Sequence, residues 1–435
     1  MITVDEAEKI ILEETKELFD IENINLEKSF SRVLRENIYS DREQPPFDRV
    51  AMDGIAIKYE SLKNNSFIIQ GIQSAGMPPL ELTSLDNCIE VMTGAVLPLG
   101  CDCVIKVEDL EIKNNIAYLK DDITIDFFQN IHKKGIDHPK NAEVIKEKTK
   151  ILPTHIAILA SVGKHIIKVT KNPSIAIIST GDELVNIEQD VLPHQIRMSN
   201  AYAIQSALNS LGYNETKIFH LKDDKVELLD KIANILLKFD TVILSGGVSM
   251  GKFDFIPQVM KELEVETLFH KISQKPGKPF WLGKTKDKKL VFGLPGNPVS
   301  VLVCFYRYII PFLIKKSGLD LENKKVILKE TYNKFKTSCG VSTPQEEGCG
   351  GIAPIPPKTS EHSSEVFSNN KINLTSFLPV NISYDNNGFL VANIVPNNGS
   401  GDYYSISKSD GFVEIEKDKK VFEKGSLVKF FSWSF

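Results

Sequence analysis

The fold is indicated first by one stretch, Asp240-Thr241-Val242-Ile243-Leu244-Ser245-Gly246-Gly247-Val248-Ser249-Met250-Gly251, followed closely by Asp254. Its apolar first half predicts a buried strand, and its glycines predict a tight turn that leads into a helix. In α/β proteins such a unit binds phosphate, because glycines let the ligand approach backbone N–H groups and the helix dipole favours its charge. The stretch therefore predicts an α/β domain with a nucleotide or another phosphate-bearing ligand.

Strand-like and helix-like segments alternate on both sides of this stretch. The strands are predicted at Ile175–Ser179, Thr216–Phe219, Thr241–Ser245 and Leu290–Leu294. The helices are predicted at Ser199–Leu211, Lys225–Lys238 (opened by a capping box at Asp224) and Phe255–Leu263, and from Pro298 onward. This alternation indicates a parallel sheet that is covered by helices on both faces, over residues 171–318.

The flanking regions have a different pattern. Helical segments at Thr3–Leu18, Leu26–Glu36 and Thr154–Ser161 predict a discontinuous helical domain of residues 1–43 and 135–170. Short strands at Ser66–Gln70, Cys88–Met92, Cys103–Glu108 and Ile116–Leu119 predict a β domain over 44–134. Strands at Thr375–Ile382, Phe389–Ile394, Gly411–Glu416 and Ser426–Phe431 predict a C-terminal β domain over 319–435, with a mobile insertion at 338–370.

The composition excludes some classes of protein. The chain of 435 residues carries 52 basic and 57 acidic residues, a net charge of −5, which argues against sequence-independent nucleic-acid binding. Its six cysteines form no CxxC pair and are expected to be free thiols. The longest apolar stretch, Val301–Ile314, is too short to span a membrane, and the N-terminus lacks the pattern of a secretory signal. We expect a soluble, cytoplasmic protein.

Three loops that follow predicted strands could bind the ligand, because open α/β sheets bind ligands at the carboxyl ends of their strands. The loops contain the candidate binding residues Thr180, Gly181 and Asp182; Ser245, Gly246, Gly247 and Ser249; and Pro295, Gly296, Asn297 and Pro298. Each loop can also be explained as a structural turn or a helix cap, so the prediction depends on their combination.

The charged residues near these loops predict a specific chemistry. Lys275 and Lys278 lie on the proline-constrained turn Lys275-Pro276-Gly277-Lys278-Pro279, where two ammonium groups could bind a phosphate or an oxyanion. Carboxylates repel a phosphate unless they hold Mg²⁺, which prefers one or two carboxylates together with phosphate oxygens. The candidate acids are Asp53, Glu183, Asp223, Asp224 and Asp254. Together these residues predict metal-assisted phosphoryl-anhydride chemistry.

Six motifs occur in the order of a known family. They are Pro45-Pro46-Phe47-Asp48…Ala51-Met52-Asp53-Gly54, Met92-Thr93-Gly94-Ala95, Ser179-Thr180-Gly181-Asp182-Glu183-Leu184, Ser245-Gly246-Gly247-Val248-Ser249, Lys275-Pro276-Gly277-Lys278-Pro279 and Leu294-Pro295-Gly296-Asn297-Pro298-Val299-Ser300. The chain thereby resembles the molybdopterin molybdenumtransferase (MoeA) family, to which the gephyrin E domain is similar.

The resemblance implies a multidomain α/β fold. Its parts are the discontinuous helical domain, the β domain, a three-layer α/β/α molybdopterin-binding domain and a C-terminal β-barrel-like domain. It also implies a homodimer whose active site lies between the α/β domain of one subunit and the β domain of the other. The implied reaction joins molybdate to adenylylated molybdopterin with the help of Mg²⁺, releases AMP and forms molybdenum cofactor. The implied partners are the molybdopterin adenylyltransferase and the molybdoenzymes that receive the cofactor.

Residue roles also follow from the resemblance. It implies catalytic roles for Asp53, Thr93, Glu183, Asp254, Lys275 and Lys278, and Mg²⁺ binding by Asp53, Glu183 and Asp254, with Asp137, Asp223 and Asp224 as further metal candidates. The chain departs from the family pattern at Ile136, where a Glu is usual, and at Arg49-Val50, where Asn-Ser is commoner.

Two other functions stay open from the sequence. The first is the molybdopterin adenylyltransferase of the preceding step, which shares the α/β domain, although the additional domains and Asp53-Gly54 argue against it. The second is a non-catalytic scaffold similar to gephyrin, although a scaffold does not need the retained acids and lysines. The sequence does not distinguish molybdate from tungstate, whose size and charge are alike.

Overall fold

The computed structural model describes residues 1–18, 20–248, 255–322, 324–334 and 374–434. Two compact units divide the chain: a larger one of Met1–Asp20 with Thr170–Phe435, and a smaller one of Ile21–Val169. The predicted site residues Ser249 and Asp254 and the predicted insertion 338–370 lie outside the described residues.

A six-stranded sheet forms the centre of the larger unit. In spatial order its strands are Thr216–Leu221, Ile175–Thr180, Thr241–Ser245, Leu290–Leu294, Trp281–Lys284 and Glu266–His270. The first four are parallel and match the predicted strands. The last two were not predicted, and Trp281–Lys284 pairs antiparallel with both of its neighbours. It runs antiparallel to Leu290–Leu294 because the turn that joins Lys284 to Leu290 is too short for a parallel crossover.

Helices cover both faces of this sheet. Ile175 and Ile177 pack in one apolar cluster with the helices Val4–Glu14, Asn200–Ser210 and the segment Pro298–Lys316. Ala176 and Ile178 pack in another with the helices Lys225–Lys238 and Ile256–Glu262. Successive residues of a strand face opposite sides of its sheet, so one run of apolar residues serves both layers. The predicted three-layer α/β/α arrangement is confirmed.

The segment Pro298–Lys316 is the central core helix. It consists of the α-helices Pro298–Cys304 and Ile310–Lys316, separated by the π-helical turn Phe305–Ile309. It is the only described helix that is long and apolar enough to cross a membrane, but 72% of its most apolar 18-residue stretch is buried inside the protein. Within it, Arg307 is 1% exposed and contacts Glu8 and Glu414 at 2.8 Å each. This ion pair links the core helix to the N-terminal helix and to the C-terminal strands.

The C-terminal part of the larger unit forms a closed five-stranded barrel, as the family resemblance implies. In spatial order the strands are Thr375–Tyr384, Leu390–Ile394, Lys325–Leu328, Leu427–Ser432 and Gly411–Ile415, and the last pairs with the first. The short strand Gln274–Lys275 also pairs with Thr375 and Ser376. This pairing attaches the barrel to the turn Lys275–Pro279, called the lysine turn below. Two short strands, Tyr332–Asn333 and Val421–Phe422, pair beside the barrel, and a short helix spans Tyr403–Ile406.

The smaller unit is mainly β structure. Its six-stranded sheet has the order Cys103–Lys106, Gly54–Ile57, Asn87–Val91, Ser66–Gln73, Ile116–Leu119 and Leu110–Lys113. Two-stranded ladders join Arg49–Val50 to Ile131–His132, Ile38–Tyr39 to Glu143–Ile145, and Ile21–Asn25 to Ile166–Thr170. Its α-helix is Pro153–Ser161, and 3₁₀ turns span Leu26–Lys28, Tyr59–Lys63 and Val107–Asp109.

The predicted helix Leu26–Glu36 is wrong. Only the 3₁₀ turn Leu26–Lys28 is helical there, and Val33 and Leu34 form β-bridges with Lys150 and Val169. Long-range backbone pairing of these buried residues overrides the local helical pattern. The helix Val4–Glu14 is confirmed, including its Thr3 capping box, and it packs in the larger unit. The other predicted domain boundaries stay predictions.

Candidate functional site

A large cleft lies at the carboxyl ends of the parallel strands in the larger unit. Its volume is about 1970 Å³, and its walls come from the strand-end loops on one side and from the C-terminal barrel on the other. The predicted site residues that line it are Thr180, Gly181, Glu183, Asp223, Ser245, Gly246, Gly247, Lys275, Lys278, Pro295, Gly296, Asn297 and Pro298. The structure thus brings together residues that lie far apart in the sequence, as open α/β sheets do at this edge.

The glycine loop packs closely against the first strand. A Cβ atom on Gly246 would lie 2.6 Å from the Thr180 carbonyl oxygen, and one on Gly247 would lie 2.8 Å from Thr180 Oγ1. Both glycines have positive φ, +97° and +65°, which L side chains rarely adopt. Thr180 is 4% exposed, and its Oγ1 has no hydrogen-bond partner in the described part of the chain. The loop therefore requires glycine for its shape and leaves its backbone at the floor of the cleft.

Asn200 was not predicted as a site residue, although it connects two of the loops. Its Nδ2 donates to Ser245 Oγ at 3.0 Å and to the Gly296 carbonyl oxygen at 2.8 Å. Asn297 makes a similar connection to the barrel side, where its Nδ2 donates to Ser400 Oγ at 2.8 Å. These two amides fix the distance between the glycine loop, the proline loop and the barrel wall.

The acidic residues divide into two groups. Glu183 and Asp223 line the cleft. Asp224 is the N-cap of the helix Lys225–Lys238, where its carboxylate accepts the Glu227 N–H at 2.8 Å. Asp182 accepts the Asp223 N–H at 3.3 Å and joins two loops without lining the cleft. The structure therefore distinguishes Asp223, which faces the ligand space, from Asp224, which caps a helix.

Magnesium is compatible with the carboxylates that face the cleft. No group of three or more metal-ligating side chains occurs among the described residues. Mg²⁺ needs only one or two protein carboxylates when phosphate oxygens complete its coordination, and Glu183 and Asp223 supply carboxylates at this cleft.

The lysine turn forms the cationic side of the cleft. Lys275 and Lys278 are exposed, whereas Gly277 between them is buried with φ +90°. The backbone N–H groups of Ile272 and Phe280 both donate to the Lys278 carbonyl oxygen at 3.0 Å. The backbone of the turn is therefore fixed, while both ammonium groups reach into the open space.

Asp53 and Thr93 come together in the smaller unit. Asp53 Oδ1 accepts the Thr93 backbone N–H at 2.6 Å and the Thr93 hydroxyl at 2.7 Å. These two hydrogen bonds, first that of the backbone N–H, lower the pKa of Asp53, so the carboxylate is ionised at neutral pH. Gly54 has a structural role, because a Cβ atom there would lie 1.8 Å from the Ile105 carbonyl oxygen.

Asp137 also lies in the smaller unit. Both of its carboxylate oxygens are 2.9 Å from His132 Nε2, so the acid is paired with an imidazole. The Ile136 side chain beside it, where the family usually has Glu, is 62% exposed. This segment therefore has one carboxylate, that of Asp137, paired with His132, because Ile136 supplies no second acid beside it.

Family models match almost the full length of the chain. Residues 2–163 match the MoeA N-terminal region (domain I and II), residues 176–315 match a probable molybdopterin binding domain, and residues 368–433 match the MoeA C-terminal region (domain IV). The three models occur in the same order as the regions described above.

Known proteins show the same relationship. The molybdopterin molybdenumtransferase of Synechocystis sp. is 33% identical over 436 residues, covering 100% of both chains, and that of Bacillus subtilis is 30% identical over 72% of this chain and 74% of its own. A solved structure, the molybdopterin biosynthesis protein MoeA from Pyrococcus horikosii, is 28% identical with a TM-score of 0.72 over 100% of both chains. The chain belongs to the molybdopterin molybdenumtransferase (MoeA) family.

Proposed function

We propose that this protein inserts molybdate into adenylylated molybdopterin, releasing AMP and forming molybdenum cofactor. The observation that carries the proposal is that glycine-rich loops, two lysines and two carboxylates meet in one cleft. The phosphates of the adenylylated substrate need backbone N–H groups that they can approach, and molybdate needs positively charged side chains nearby. Both requirements are met within this one space.

The described residues have distinct tasks in this proposal. The backbone at Gly246 and Gly247 binds the phosphates, because no side chain prevents their approach. Lys275 and Lys278 offset the charge of the oxyanion. Glu183 and Asp223 hold Mg²⁺, with Asp254 as the further acid that the sequence predicts. Bound there, Mg²⁺ would supply positive charge against the phosphate oxygens of the adenylylated substrate.

Asp53 and Thr93 contribute to the same chemistry from a second subunit in this proposal. They lie in the smaller unit, whereas the cleft is formed by the larger unit. A carboxylate that is held by two hydrogen bonds is a fixed negative charge, suited to orient Mg²⁺. We therefore propose a homodimer in which the Asp53–Thr93 pair of one protomer completes the cleft of its partner.

The alternative functions have less support. A relative named molybdopterin molybdenumtransferase covers the whole chain, including the regions on both sides of the molybdopterin-binding domain. An adenylyltransferase that acts through the α/β domain alone would not need these regions. We further propose that the protein acts in the cytoplasm, between the molybdopterin adenylyltransferase and the molybdoenzymes that receive the cofactor.

The test is AMP release from adenylylated molybdopterin, with and without molybdate, and with and without Mg²⁺ after chelation. We expect release only when molybdate is present, acceleration by Mg²⁺, and a product that activates an apo-molybdoenzyme. ATP consumption with unadenylylated molybdopterin would instead identify the enzyme of the preceding step. Tight binding of the adenylate without release in any condition would contradict the proposal and favour a scaffold.

A further inference from the structure

A buried amide side chain lies directly beneath the lysine turn. Gln274 is 0% exposed, and its Nε2 is 3.1 Å from the Pro276 carbonyl oxygen and 3.3 Å from that of Gly277. The same nitrogen is 3.4 Å from Cys304 Sγ. Two backbone carbonyls of the turn therefore accept hydrogen bonds from one side chain that has no access to water.

The backbone of the turn packs directly against this amide at Gly277. A Cβ atom on Gly277 would lie 2.6 Å from Gln274 Nε2 and 2.6 Å from Cys304 Sγ. Cys304 is 0% exposed, and its Sγ is 3.7 Å from the Gly277 carbonyl oxygen. Only a glycine lets the backbone come this close, so the contact between the amide and the turn depends on both residues.

The other end of the amide is attached to the core helix. Gln274 Oε1 accepts the hydroxyl of Tyr308, which lies on the π-helical turn of Pro298–Lys316. The Tyr308 ring packs 5.2 Å from the ring of Phe280, and the Arg307 guanidinium is 5.3 Å from its centroid. Tyr308 is 1% exposed and burial raises its pKa, so its hydroxyl stays protonated and donates to the amide.

These contacts give the lysine turn one favoured position. A buried amide without partners is costly, and the donors of Gln274 are satisfied by carbonyls of the turn. If the turn moved, the amide would lose those partners with no water to replace them. In the described part of the chain neither Lys275 nor Lys278 forms an ion pair, so the direction of each ammonium group depends on the backbone that carries it.

We propose that Gln274 is a positioning residue, which anchors the Lys275–Lys278 turn to the core helix so that both ammonium groups address the oxyanion. The inference rests on the proposed function of the turn. It adds a residue that contacts no substrate and that acts through the two carbonyls it holds.

The test uses three variants whose effects on stability and on the turn differ. Gln274→Met keeps the length of the side chain but removes the donors to the turn and the acceptor of Tyr308. Tyr308→Phe removes only the hydroxyl on the side away from the turn. The double variant Gln274→Met/Tyr308→Phe also removes the hydroxyl that Gln274→Met leaves without an acceptor, so it should be more stable than Gln274→Met, although the Pro276 and Gly277 carbonyls still lack the amide donor.

For each variant, the KM for molybdate and the KM for adenylylated molybdopterin are measured in the AMP-release assay, beside denaturant unfolding. We expect the KM for molybdate to rise about tenfold to a hundredfold in Gln274→Met, because small misplacements of positioning groups have effects of this size. The double variant should be more stable than Gln274→Met but keep the raised KM for molybdate. Tyr308→Phe should lose stability, because the buried Gln274 Oε1 loses its donor, but it should keep the parent KM for molybdate, because both hydrogen bonds to the turn remain. The KM for the adenylate should stay unchanged throughout.

Two results would overturn the inference. One is a double variant whose KM for molybdate returns to the parent value as its stability rises above that of Gln274→Met, because the amide would then act only through folding. The other is a KM for molybdate that is unchanged in Gln274→Met. If either result occurs, Lys278→Ala separates the two proposals. Normal molybdate binding and turnover by Lys278→Ala would mean that the proposed function of the turn has failed. Weakened molybdate binding by Lys278→Ala would mean that only the proposed role of Gln274 has failed.

Discussion

The two units of the protein hold their charged residues in opposite ways. In the larger unit the backbone is fixed by Asn200, Gln274 and the close packing of Gly246, while the charged ends of Lys275 and Lys278 are exposed. In the smaller unit the carboxylate of Asp53 itself is held by Thr93. Lysine side chains act as adaptable point charges, so only the backbone that carries them needs to be fixed, whereas a carboxylate that orients a metal ion must itself be fixed.

The largest effect is expected from Asp53→Asn, which removes the held charge but keeps the shape. We expect AMP release to fall by about 10²–10³-fold or more, in line with the loss of one preorganised electrostatic group. Asp86→Asn is a matched control on the same unit, because Asp86 is exposed and its carboxylate accepts a described hydrogen bond only from the Asn64 amide. Full turnover by Asp53→Asn with an unchanged circular dichroism spectrum would remove Asp53 from the mechanism.

The next effect concerns the packed backbone of the larger unit. Gly246→Ala places a Cβ atom 2.6 Å from the Thr180 carbonyl oxygen at φ +97°. We expect at least a tenfold weaker affinity for the adenylate, in addition to about 1–2 kcal/mol of backbone strain. Gly425→Ala is the control, because its φ is +89° but no atom lies within 4 Å of the added Cβ. Calorimetric titration and denaturant unfolding compare the two, and equal adenylate affinities would contradict the role of the loop.

Neighbouring acids provide a sharper test of what belongs to the site. Asp223→Asn should raise the Mg²⁺ concentration that gives half-maximal AMP release, because Asp223 lines the cleft. Asp224→Ala should instead lower the free energy of unfolding by about 1 kcal/mol, the usual effect of losing an N-cap, with normal Mg²⁺ dependence. The reverse pattern would show that the two acids have been assigned to the wrong tasks.

The smallest effect is a shift of the pH profile. Hydrogen bonds from Thr93 lower the pKa of Asp53, so the ionised form is available down to low pH. Thr93→Val removes the hydroxyl donor but keeps the backbone donor, and therefore raises this pKa part of the way toward its ordinary value. The acidic limb of the kcat profile should move to higher pH while the alkaline limb stays in place. An unchanged acidic limb would mean that a different group sets it.

The local pattern of apolar residues, glycine and proline was sufficient to predict many of the strands and helices. The strands Thr241–Ser245 and Leu290–Leu294 were predicted to the residue, because short apolar runs bounded by glycine or proline leave little choice. The predicted helix Leu26–Glu36 failed where bridges to Lys150 and Val169 determine the backbone. Such pairing joins residues far apart in the chain and leaves no local signal.

The same limit applies to the site. Loops with glycine, proline or paired charges were recognisable from the sequence, and the structure gathers most of them in one cleft. Asn200 and Gln274 were missed, because Gly296, which Asn200 contacts, lies 96 residues away, and Tyr308, which connects Gln274 to the core helix, lies 34 residues away. A neutral amide has no distinctive sequence pattern, and its importance appears only when its buried contacts are known. Asp224 could have been assigned correctly, since its capping box with Glu227 was visible in the sequence.

The most direct measurement mixes two inactive variants, Asp53→Asn and Lys275→Ala, under conditions that let subunits exchange. If each active site combines the cleft of one subunit with the Asp53–Thr93 pair of the other, mixed dimers contain one intact site. Random pairing should then restore about a quarter of the parent activity, because half of the dimers are mixed and half of their sites are intact. Mixed dimers that form, as shown by native mass spectrometry, but release no AMP would contradict a site shared between subunits.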